Sequence, residues 1–287
     1  MGKENLNFER LTKNNIAAII KKRNPLSHKG NFGHAIIVSG SFGKMGAAIL
    51  AAKACLRTGV GLLTMYIPAC GYEILQMAVP EAMVITCEDE KLITAAISLE
   101  KFNTMGLGCG LGTSEKTVVA LNELIQHYKK PIVIDADAIN IIAKNKSILN
   151  FVISESIFTP HLKEFERLVG KSETNDERNK LQIEFSKKYH VYVVLKGHET
   201  FISCPDGKCY INTTGNAGMA KGGSGDALTG MLTALLAQGY TAEQACVAGV
   251  YLHGLAGDIA VKETGEISLL PSDLIDNIGK AFLKVIR

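Results

Sequence analysis

The sequence has few of the features that mark nucleic-acid-binding or membrane proteins. Tryptophan is absent, and 31 Lys and Arg residues stand against 28 Asp and Glu residues, so the formal net charge is only +3. The basic residues are spread along the chain instead of forming one patch, and we therefore expect no nucleic-acid partner. No segment approaches the roughly 18 apolar residues of a membrane helix. Because the N-terminus also lacks an apolar signal core, we expect no membrane partner and a cytoplasmic location.

Cysteine usage argues against a fold held by disulfides. The seven cysteines are an odd number and have no paired spacing, which indicates a reducing compartment. No Cys-x-x-Cys pair occurs, so a structural zinc site is not expected. The composition, with 47% hydrophobic and 21% charged residues, is that of an ordinary globular protein. No internal repeat or linker interrupts it, and we expect one catalytic domain, residues 1–287.

Three common motifs of nucleotide-binding proteins and hydrolases are also absent. A Walker A loop is excluded because Met45 follows Gly43-Lys44 where Ser or Thr is required. The dinucleotide fingerprint G-x-G-x-x-G fails because Leu111 occupies the third glycine position. The glycines around Ser224 do not have the G-x-S-x-G spacing of a nucleophile elbow. P-loop, Rossmann and α/β-hydrolase chemistries are therefore not indicated.

What the sequence does contain, between residues 34 and 196, is an alternation of short β-rich segments with helical patterns. Near-continuous apolar strands such as 132–134 are typical of a parallel sheet covered on both faces. The alternation predicts βαβ units and an α/β fold with a doubly wound, mostly parallel sheet and helices on both faces. We predict strands at 34–39, 62–67, 83–86, 104–107, 131–135, 157–159 and 191–196, and helices at 45–58, 70–78, 90–98, 114–129, 137–145, 162–169 and 174–189.

The pattern changes on both sides of this region. Strands at 200–203 and 208–211 are predicted to form a hairpin, and an amphipathic helix is predicted over 7–22, so that residues 1–24 form an N-terminal helical extension. Three helices are predicted to close the chain, at 225–238, 241–262 and 272–286.

A glycine-rich segment immediately before the first of these closing helices indicates an anion site. Residues 215–226 hold five glycines, whereas the overall frequency of 28 in 287 would give about 1.2. Glycines before a helix let backbone N–H groups converge on an anion, and the helix dipole adds to the attraction. Asp226 would repel a phosphate there unless it faces a substrate hydroxyl and takes its proton during phosphoryl transfer. We predict that Asp226 is a catalytic base; the alternative is a helix cap.

Seven motifs in order resemble those of the ADP- or ATP-dependent NAD(P)H-hydrate dehydratases, a family of the ribokinase-like superfamily. The resemblance spans residues 25–285. The motifs are SHKGNFG from residue 27, SGSFGKMGAAILAAKACLRTGVGLLT from 39, GLGCGLG from 106, DADAIN from 135, TPHLKEF from 159, VLKGHET from 194, and TTGNAGMAKGGSGDALTG from 213.

This resemblance implies a ribokinase-like fold and a hydro-lyase that repairs nicotinamide nucleotides. The family reaction removes the water added at C6 of the damaged nicotinamide ring of NADHX or NADPHX, restoring NADH or NADPH. The hydroxyl is phosphorylated first, at the expense of ADP or ATP with Mg²⁺, and the phosphate then leaves. Bacterial members mostly resemble ADP users, which favours ADP here, and the family suggests a homotetramer.

When the functional residues of the family are placed on the matching positions of this sequence, the resemblance implies four groups of site residues. The catalytic group is Asp226 with the amides of Gly223, Ser224 and Gly225. The nucleotide-binding group for ADP or ATP is Lys196, Gly197, His198, Glu199, Thr200 and Gly225. The group that contacts NADHX or NADPHX is Ala47, Gly110, His161 and Asp226. Glu164 resembles the acidic residue near the magnesium ion.

The sequence departs from the family pattern at several prolines. Cys109 stands where the family usually has Pro, Ala217 replaces another, and Leu162-Lys163 replaces Pro-Gly. Losing these prolines relaxes loops without removing a reactive group. No N-terminal epimerase domain is present, so we expect that companion activity on another chain.

Several alternatives remain open from the sequence. A kinase of the same fold that phosphorylates a vitamin-precursor alcohol would share the glycine-rich loop, although the segments from 27, 106 and 159 favour the dehydratase. A non-catalytic nucleotide-binding protein would be expected to have lost Asp226. His161 either contacts a ligand at a strand end or is a polar loop residue. Asp135 and Asp137 either cap helix 137–145 or serve a substrate or metal.

Overall fold

The computed structural model describes residues 8–287, in which ten strands form one sheet flanked by eleven α-helices. The strands are β1 (Glu9–Arg10), β2 (His34–Val38), β3 (Leu62–Pro68), β4 (Met83–Cys87), β5 (Thr104–Leu107), β6 (Ile132–Ile134), β7 (Ile157–Phe158), β8 (Tyr192–Leu195), β9 (Thr200–Ser203) and β10 (Cys209–Asn212). The helices are α1 (Lys13–Ile19), α2 (Met45–Arg57), α3 (Tyr72–Ala78), α4 (Glu115–His127), α5 (Ala136–Lys144), α6 (Leu162–Val169), α7 (Asn175–Tyr189), α8 (Ser224–Ala237), α9 (Ala242–Ser268), α10 (Pro271–Asp276) and α11 (Ile278–Ile286).

The strand order is β1-β10-β9-β8-β7-β6-β5-β2-β3-β4. Strands β2 to β8 are parallel to one another, while β9 is antiparallel to both of its neighbours. The chain winds outward from β2 in both directions, so the order reverses between β2 and β5. In open α/β sheets the crevice at such a reversal, beyond the carboxyl ends of the strands, is where ligands bind. The predicted doubly wound, mostly parallel sheet is confirmed.

Both faces of the sheet are covered by helices, because its central strands are apolar on both sides. In β2, Ile36 and Val38 pack into a core with residues of α4, α5 and α7, whereas Ala35 and Ile37 pack with residues of α2 and α8. Successive side chains of a strand point to opposite faces. The same alternation recurs in β6 and β8, which confirms the predicted arrangement.

Helices α2 and α8 pack unusually closely beneath the sheet. A Cβ atom at Gly230 of α8 would lie 2.1 Å from the carbonyl oxygen of Ala51 in α2, so a glycine is required at this contact. The side chains from Ala227 to Leu235 of α8 are buried. The N-terminus of α8, with the predicted site residues, is therefore held in a fixed position at the crevice.

The predicted strands all match to within one residue at each end. The helix predicted at 90–98 is wrong, because the segment is an irregular loop fixed by local and tertiary hydrogen bonds. The Asp89 carboxylate accepts hydrogen bonds from the N–H groups of Lys91 and Leu92. The Lys91 carbonyl accepts from Phe42 N, and the Asp89 carbonyl from Ala69 N. The two carbonyl bonds use acceptors that the N–H groups of residues 93 and 95 would need in a helix, whereas the Asp89 side chain bonds only N–H groups that the start of a helix leaves free.

The prediction of a wholly helical N-terminal extension is wrong for the residues that the structure describes. Residues 1–7 lie outside the described range, β1 adds to the sheet edge beside β10, and the helix begins only at Lys13. Thr12 accepts a hydrogen bond from Asn15 N and so caps the helix at that point. The N–H of Leu11 is bonded to Ile211 O, which holds the preceding residues extended.

The closing helices also differ from the prediction in their ends. Helix α9 runs to Ser268, with a non-helical residue at Gly265, and the helix predicted over 272–286 is two helices that meet at Asn277. Helix α9 is long and apolar enough to span a membrane, with a mean hydropathy of 1.2 over an 18-residue window, but 67% of that window is buried inside the protein. Packing against α8 and α11 accounts for this composition.

Candidate active site

A cavity of about 800 Å³ lies at the carboxyl ends of the central strands, where the segment 212–226 meets helices α8 and α9. Many of the predicted site residues line it: His161, Glu164, Lys196, Gly197, His198, Thr200, Gly223, Ser224, Gly225 and Asp226. Glu199 is exposed and does not line the cavity. Ala47 and Gly110 also lie outside its lining but are next to each other, since a Cβ at Gly110 would be 3.0 Å from Ala47 Cβ.

The first turn of helix α8 contains backbone N–H groups without a partner among residues 8–287, although Ser224 N, which was predicted to belong to the anion site, donates to Lys221 O at 3.4 Å. Its N-cap is Gly223, which has a left-handed conformation (φ 104°) that favours glycine, and no side chain caps the helix. The first helical bond runs from Ala227 N to Gly223 O. Among the described residues, no acceptor faces the N–H groups of Gly225 and Asp226. Free N–H groups at a helix start form an anion site, and Asp226 does not act as the cap.

The carboxyl group of Asp226 is adapted to accept a proton. Burial raises the pKa of Asp226 to about 6, while a hydrogen bond from the Cys109 thiol lowers it, Asp135 raises it and Lys196 lowers it. Burial and the neighbouring carboxylates raise the pKa of Cys109 itself, so this thiol stays protonated and can donate to Asp226. A carboxylate with a pKa near 6 is largely ionised at neutral pH and is a stronger base than an ordinary Asp.

Lys196 lies beside the anion site and is held there by Asp135. Its ammonium donates to Asp135 Oδ1 at 2.8 Å, and Thr229 Oγ1 donates to Asp135 Oδ2 at 2.7 Å. Burial alone would lower the pKa of Lys196, but the carboxylates of Asp135 and Glu164 outweigh it, and the net shift is upward. A Cβ at Gly225 would be 3.1 Å from the Lys196 nitrogen, so a fixed positive charge flanks the free amides of α8.

The two aspartates of the DADAIN segment do not cap helix α5 with their side chains. Asp135 is the N-cap residue by position but makes no side-chain capping bond, because its carboxylate is bound to Lys196 and Thr229. Asp137 accepts a hydrogen bond from Gly112 N at 2.8 Å and pairs with Lys44 Nζ at 3.4 Å. Asp135 therefore belongs to the cavity wall, and Asp137 fixes the loop that follows β5.

His161 and Glu164 form a capping box at the start of α6. Glu164 N donates to His161 Nδ1 at 3.3 Å, and His161 N donates to Glu164 Oε2 at 2.8 Å. An isolated parallel β-bridge also joins the backbones of His161 and Lys196. His161 lines the main cavity. His161 thus lies beside the segment assigned to the nucleotide, although the family resemblance places it in the group that contacts the substrate.

Asp226 lies close to members of both the nucleotide group and the substrate group. Lys196, of the nucleotide group, is near enough to lower the pKa of the Asp226 carboxyl group. The Cys109 thiol lies within 4.8 Å of the Asp226 carboxylate, and the next residue, Gly110, is adjacent to Ala47. A base in this position adjoins both groups.

Two residues of α9 that sequence reasoning missed also shape the cavity. His253 Nε2 is 2.9 Å from the carbonyl oxygen of Ser224, and burial lowers the pKa of His253 to about 4, so its ring is neutral and donates to this oxygen. Asp258 accepts from Gly215 N and from the Asn216 amide, at 2.9 and 3.0 Å. Both contacts hold the glycine-rich loop. No sequence motif pointed to them, because they lie on a helix with no recognisable signature.

Comparison with known proteins identifies the relatives of this chain. The family model described as NAD(P)H-hydrate dehydratase matches residues 35–280. The chain is 38% identical to the ADP-dependent (S)-NAD(P)H-hydrate dehydratase of Neisseria meningitidis over 258 residues, which is 87% of this chain and 84% of that protein. It is 35% identical to the bifunctional NAD(P)H-hydrate repair enzyme of Moorella thermoacetica, covering 90% of this chain and 50% of that protein. The chain thus spans about half the length of such bifunctional relatives.

Among solved structures, a similar one is the ADP/ATP-dependent NAD(P)H-hydrate dehydratase of Bacillus subtilis, co-crystallised with ATP and Mg²⁺. Its TM-score is 0.84 at 28% sequence identity, and the match covers 98% of this chain and 99% of that one. The predicted ribokinase-like fold is confirmed.

Proposed function

Because the chain belongs to the NAD(P)H-hydrate dehydratase family, we propose that it dehydrates NADHX and NADPHX at the expense of ADP or ATP, with ADP preferred. The observation that carries this proposal is the position of Asp226. Its carboxylate has a pKa of about 6 and adjoins both a phosphate-binding helix start and the loop of Gly110. A base in contact with both ligands is what phosphoryl transfer between them requires.

In the first step the terminal phosphoryl group of the nucleotide moves to the substrate. The free N–H groups of Gly225 and Asp226 bind its oxygens, and the Lys196 ammonium balances their charge. The hydroxyl oxygen at C6 attacks the phosphorus as its proton passes to Asp226. The bond from phosphorus to the bridging oxygen breaks, so that ADP leaves as AMP.

In the second step the phosphate leaves C6 and takes the electron pair of the carbon–oxygen bond. The lone pair of the ring nitrogen supports this departure, and loss of a proton from the neighbouring ring carbon restores the double bond. The sum is NADHX + ADP → NADH + AMP + phosphate, in which the oxygen of the lost water ends in phosphate. Phosphorylation converts a poor leaving group, hydroxide, into a good one.

We propose that Glu164, the acidic residue implied by the family resemblance, would hold the magnesium ion through the lone pairs that its own contacts leave free, since Oε2 accepts from His161 N and Oε1 lies 3.4 Å from His161 Nε2. Mg²⁺ prefers oxygen ligands and is usually bound by one or two carboxylates together with substrate phosphates. The cluster of Cys109, Asp135 and Asp226 has ligand atoms within 4.8 Å of one another, but one is a thiol and Asp135 is already paired with Lys196. Glu164 lines the cavity with a carboxylate. When bound, Mg²⁺ neutralises charge on the transferring phosphoryl group.

The decisive test follows absorbance at 340 nm while the chain is mixed with NADHX or NADPHX, Mg²⁺ and either ADP or ATP. We expect absorbance to rise only when a nucleotide is present, with one AMP and one phosphate formed per NADH when ADP is used. A kinase of the same fold would form AMP or ADP from a small alcohol without any rise at 340 nm. That outcome would replace the dehydratase by the kinase.

We also propose a homotetramer in the cytoplasm. The family resemblance suggests the tetramer, and α3 with the adjacent edge strand β4 exposes large apolar side chains, namely Tyr72, Ile74, Met77 and Met83. Such a patch is typical of a protein–protein interface. Light scattering combined with size-exclusion chromatography should give four times the chain mass of 30.9 kDa; a monomeric mass would contradict the assembly.

A further inference from the structure

A second cavity, of about 540 Å³, has no role in the chemistry proposed above. Thr113, Asp137, Asn140, Ala143, Lys144 and Arg167 line it. It follows helix α5 from its first turn at Asp137 to its last at Lys144, a distance of about 10 Å at the helical rise of 1.5 Å per residue. Helix α6 supplies Arg167 to the opposite wall.

The lining of this cavity is positively charged and partly preorganised. Arg167 Nη1 donates to the Asn140 side-chain oxygen at 2.7 Å, which fixes the guanidinium and leaves the Asn140 NH₂ group free to donate elsewhere. Asp137 is the acidic member, but its charge is balanced by Lys44 and by the N–H of Gly112. Two cationic side chains, Arg167 and Lys144, thus remain to attract an anion. An arginine fork matches the geometry of a phosphate group.

The loop after β5 connects this cavity to the catalytic base. Cys109 lies within 4.8 Å of the Asp226 carboxylate, and Thr113, four residues further on, lines the second cavity. Four residues span at most about 14 Å when fully extended. Asp137 fixes the loop between these points by accepting from Gly112 N. The second cavity is therefore within reach of an elongated ligand whose reacting end lies at Asp226.

We propose that Arg167 and Lys144 bind the phosphate carried by the adenosine ribose of NADPHX and thereby make the enzyme prefer NADPHX over NADHX. This rests on the proposed function, because the ligand is taken to be the hydrated dinucleotide. Two riboses and a diphosphate separate the two bases of that molecule, which gives it the required length. NADHX lacks this ribose phosphate and gains nothing from the two cations.

The test compares kcat/KM for NADPHX and NADHX at saturating ADP in Arg167→Gln, Lys144→Gln and the parent. For each variant we expect kcat/KM for NADPHX to fall about tenfold, the size of one charge-assisted hydrogen bond, and that for NADHX to change less than twofold. Lys146→Gln is the matched control, because it removes an exposed charge near Lys144 that lines neither cavity. A parallel loss for both substrates, or no loss for either, overturns the subsite.

Binding of the undamaged cofactors separates the subsite from the proposed function. We expect NADPH to bind the parent more tightly than NADH in calorimetric titrations, and Arg167→Gln to remove the difference. If the parent dehydrates both hydrates but this difference is missing, the subsite is wrong and the function stands. If the difference is present and lost in Arg167→Gln while no dehydration occurs, the subsite stands and the proposed function is wrong.

Discussion

Lys196 and Asp135 form an ion pair, with 2.8 Å between Nζ and Oδ1, at the point where the free amides of helix α8 begin. Thr229 donates to the second oxygen of Asp135, so both oxygens of this carboxylate are bonded and its orientation is fixed. Burying a carboxylate is costly unless it is paired and hydrogen-bonded. The arrangement uses that pairing to hold a positive charge where a phosphate would bind.

Asp135→Asn should separate the positioning of the Lys196 ammonium from the binding of ADP. Without the carboxylate, the Lys196 ammonium is no longer fixed, so we expect kcat to fall about tenfold, equivalent to about 1.4 kcal/mol in the barrier. The affinity for ADP should change less, because removing Asp135 also removes a repulsion toward phosphate. The measurements are kcat and KM for ADP at saturating hydrate.

A double-mutant cycle provides the control for this variant. If Asp135 acts through Lys196, then Asp135→Asn combined with Lys196→Met should be no worse than Lys196→Met alone. Losses in kcat that multiply in the double variant would mean that Asp135 acts independently of Lys196.

The raised pKa of Asp226 predicts the pH dependence of the reaction. Since the base must be ionised, kcat/KM should fall tenfold per pH unit below about pH 6, the pKa of this carboxyl group. Above pH 6, Asp226→Asn should reduce kcat/KM by about 10²–10⁴. It should also abolish the acidic limb, so the difference from the parent should shrink as the pH falls below 6. A variant within tenfold of the parent would show that Asp226 is not the base.

The same pKa predicts that Asp226→Asn stabilises the fold. The folded pKa of about 6 exceeds the ordinary aspartate pKa of 3.8, so the folded state binds the proton more tightly and stability falls as pH rises from about 4 to about 6. Above pH 6 the ionised carboxylate is destabilising by up to about 2–3 kcal/mol for a shift of this size, and about 1–2 allowing for its partial exposure. Urea unfolding at pH 7.5 and 4 should show the Asp226→Asn variant to be more stable than the parent only at the higher pH; an equal gain at both would assign the effect to packing.

The lack of space for a side chain at Gly225 predicts that a substitution there impairs nucleotide binding. Of the glycines from 222 to 225, only Gly223 has a positive φ, and Gly225 is constrained instead by its neighbours. A side chain there would meet Lys196 Nζ at 3.1 Å and Asp135 Oδ2 at 3.7 Å. Gly225→Val should therefore weaken ADP binding more than tenfold in calorimetric titrations, which corresponds to at least about 1.4 kcal/mol.

Gly279→Ala in α11 is the matched control for this substitution, because nothing lies within 4 Å of a Cβ at that position. It should bind ADP like the parent. If a folded Gly225→Val variant also binds ADP normally, the start of α8 is not the phosphate site.

The central sheet could be predicted from the sequence because the signal there is local. Strands such as β6 are uninterrupted apolar segments, and burial on both faces permits no other pattern. The helix predicted at 90–98 failed because the carbonyl groups of Asp89 and Lys91 accept hydrogen bonds from Ala69 N and Phe42 N, which are distant in the sequence. Edge strand β1 has two residues, too few for any periodicity.

The candidate site was predictable only where residues follow one another in motifs. Residues 196–200 and 223–226 are two contiguous segments. They could be assigned because the motifs that contain them occur in the same order as in the family. His253 and Asp258 were missed because they approach the loop from α9, where their spacing resembles any helix face. The pairing of Asp135 with Lys196 joins residues 61 positions apart, and no local pattern records such a contact.

Substitution of His161 tests whether its imidazole contacts the hydrated cofactor or the nucleotide. This ligand contact must first be separated from the role of the ring in capping helix α6. The ring accepts the capping bond from Glu164 N, so His161→Ala should lower the free energy of unfolding by about 1 kcal/mol. Asparagine is a good N-cap residue, and His161→Asn should keep the stability while removing the ring from the cavity. In both variants we expect KM for the hydrated cofactor to rise about threefold to tenfold, since a lost hydrogen bond costs about 0.5–1.5 kcal/mol.

The bridge between His161 and Lys196 makes the opposite result possible and informative. If the His161 ring lies against the nucleotide beside Lys196, KM for ADP will rise in His161→Asn while KM for the hydrated cofactor stays constant. Each KM is measured with the other substrate saturating, so the two cases are distinct. A rise confined to ADP moves His161 from the substrate group to the nucleotide group and leaves Gly110 and Ala47, which lie next to each other, as the substrate group.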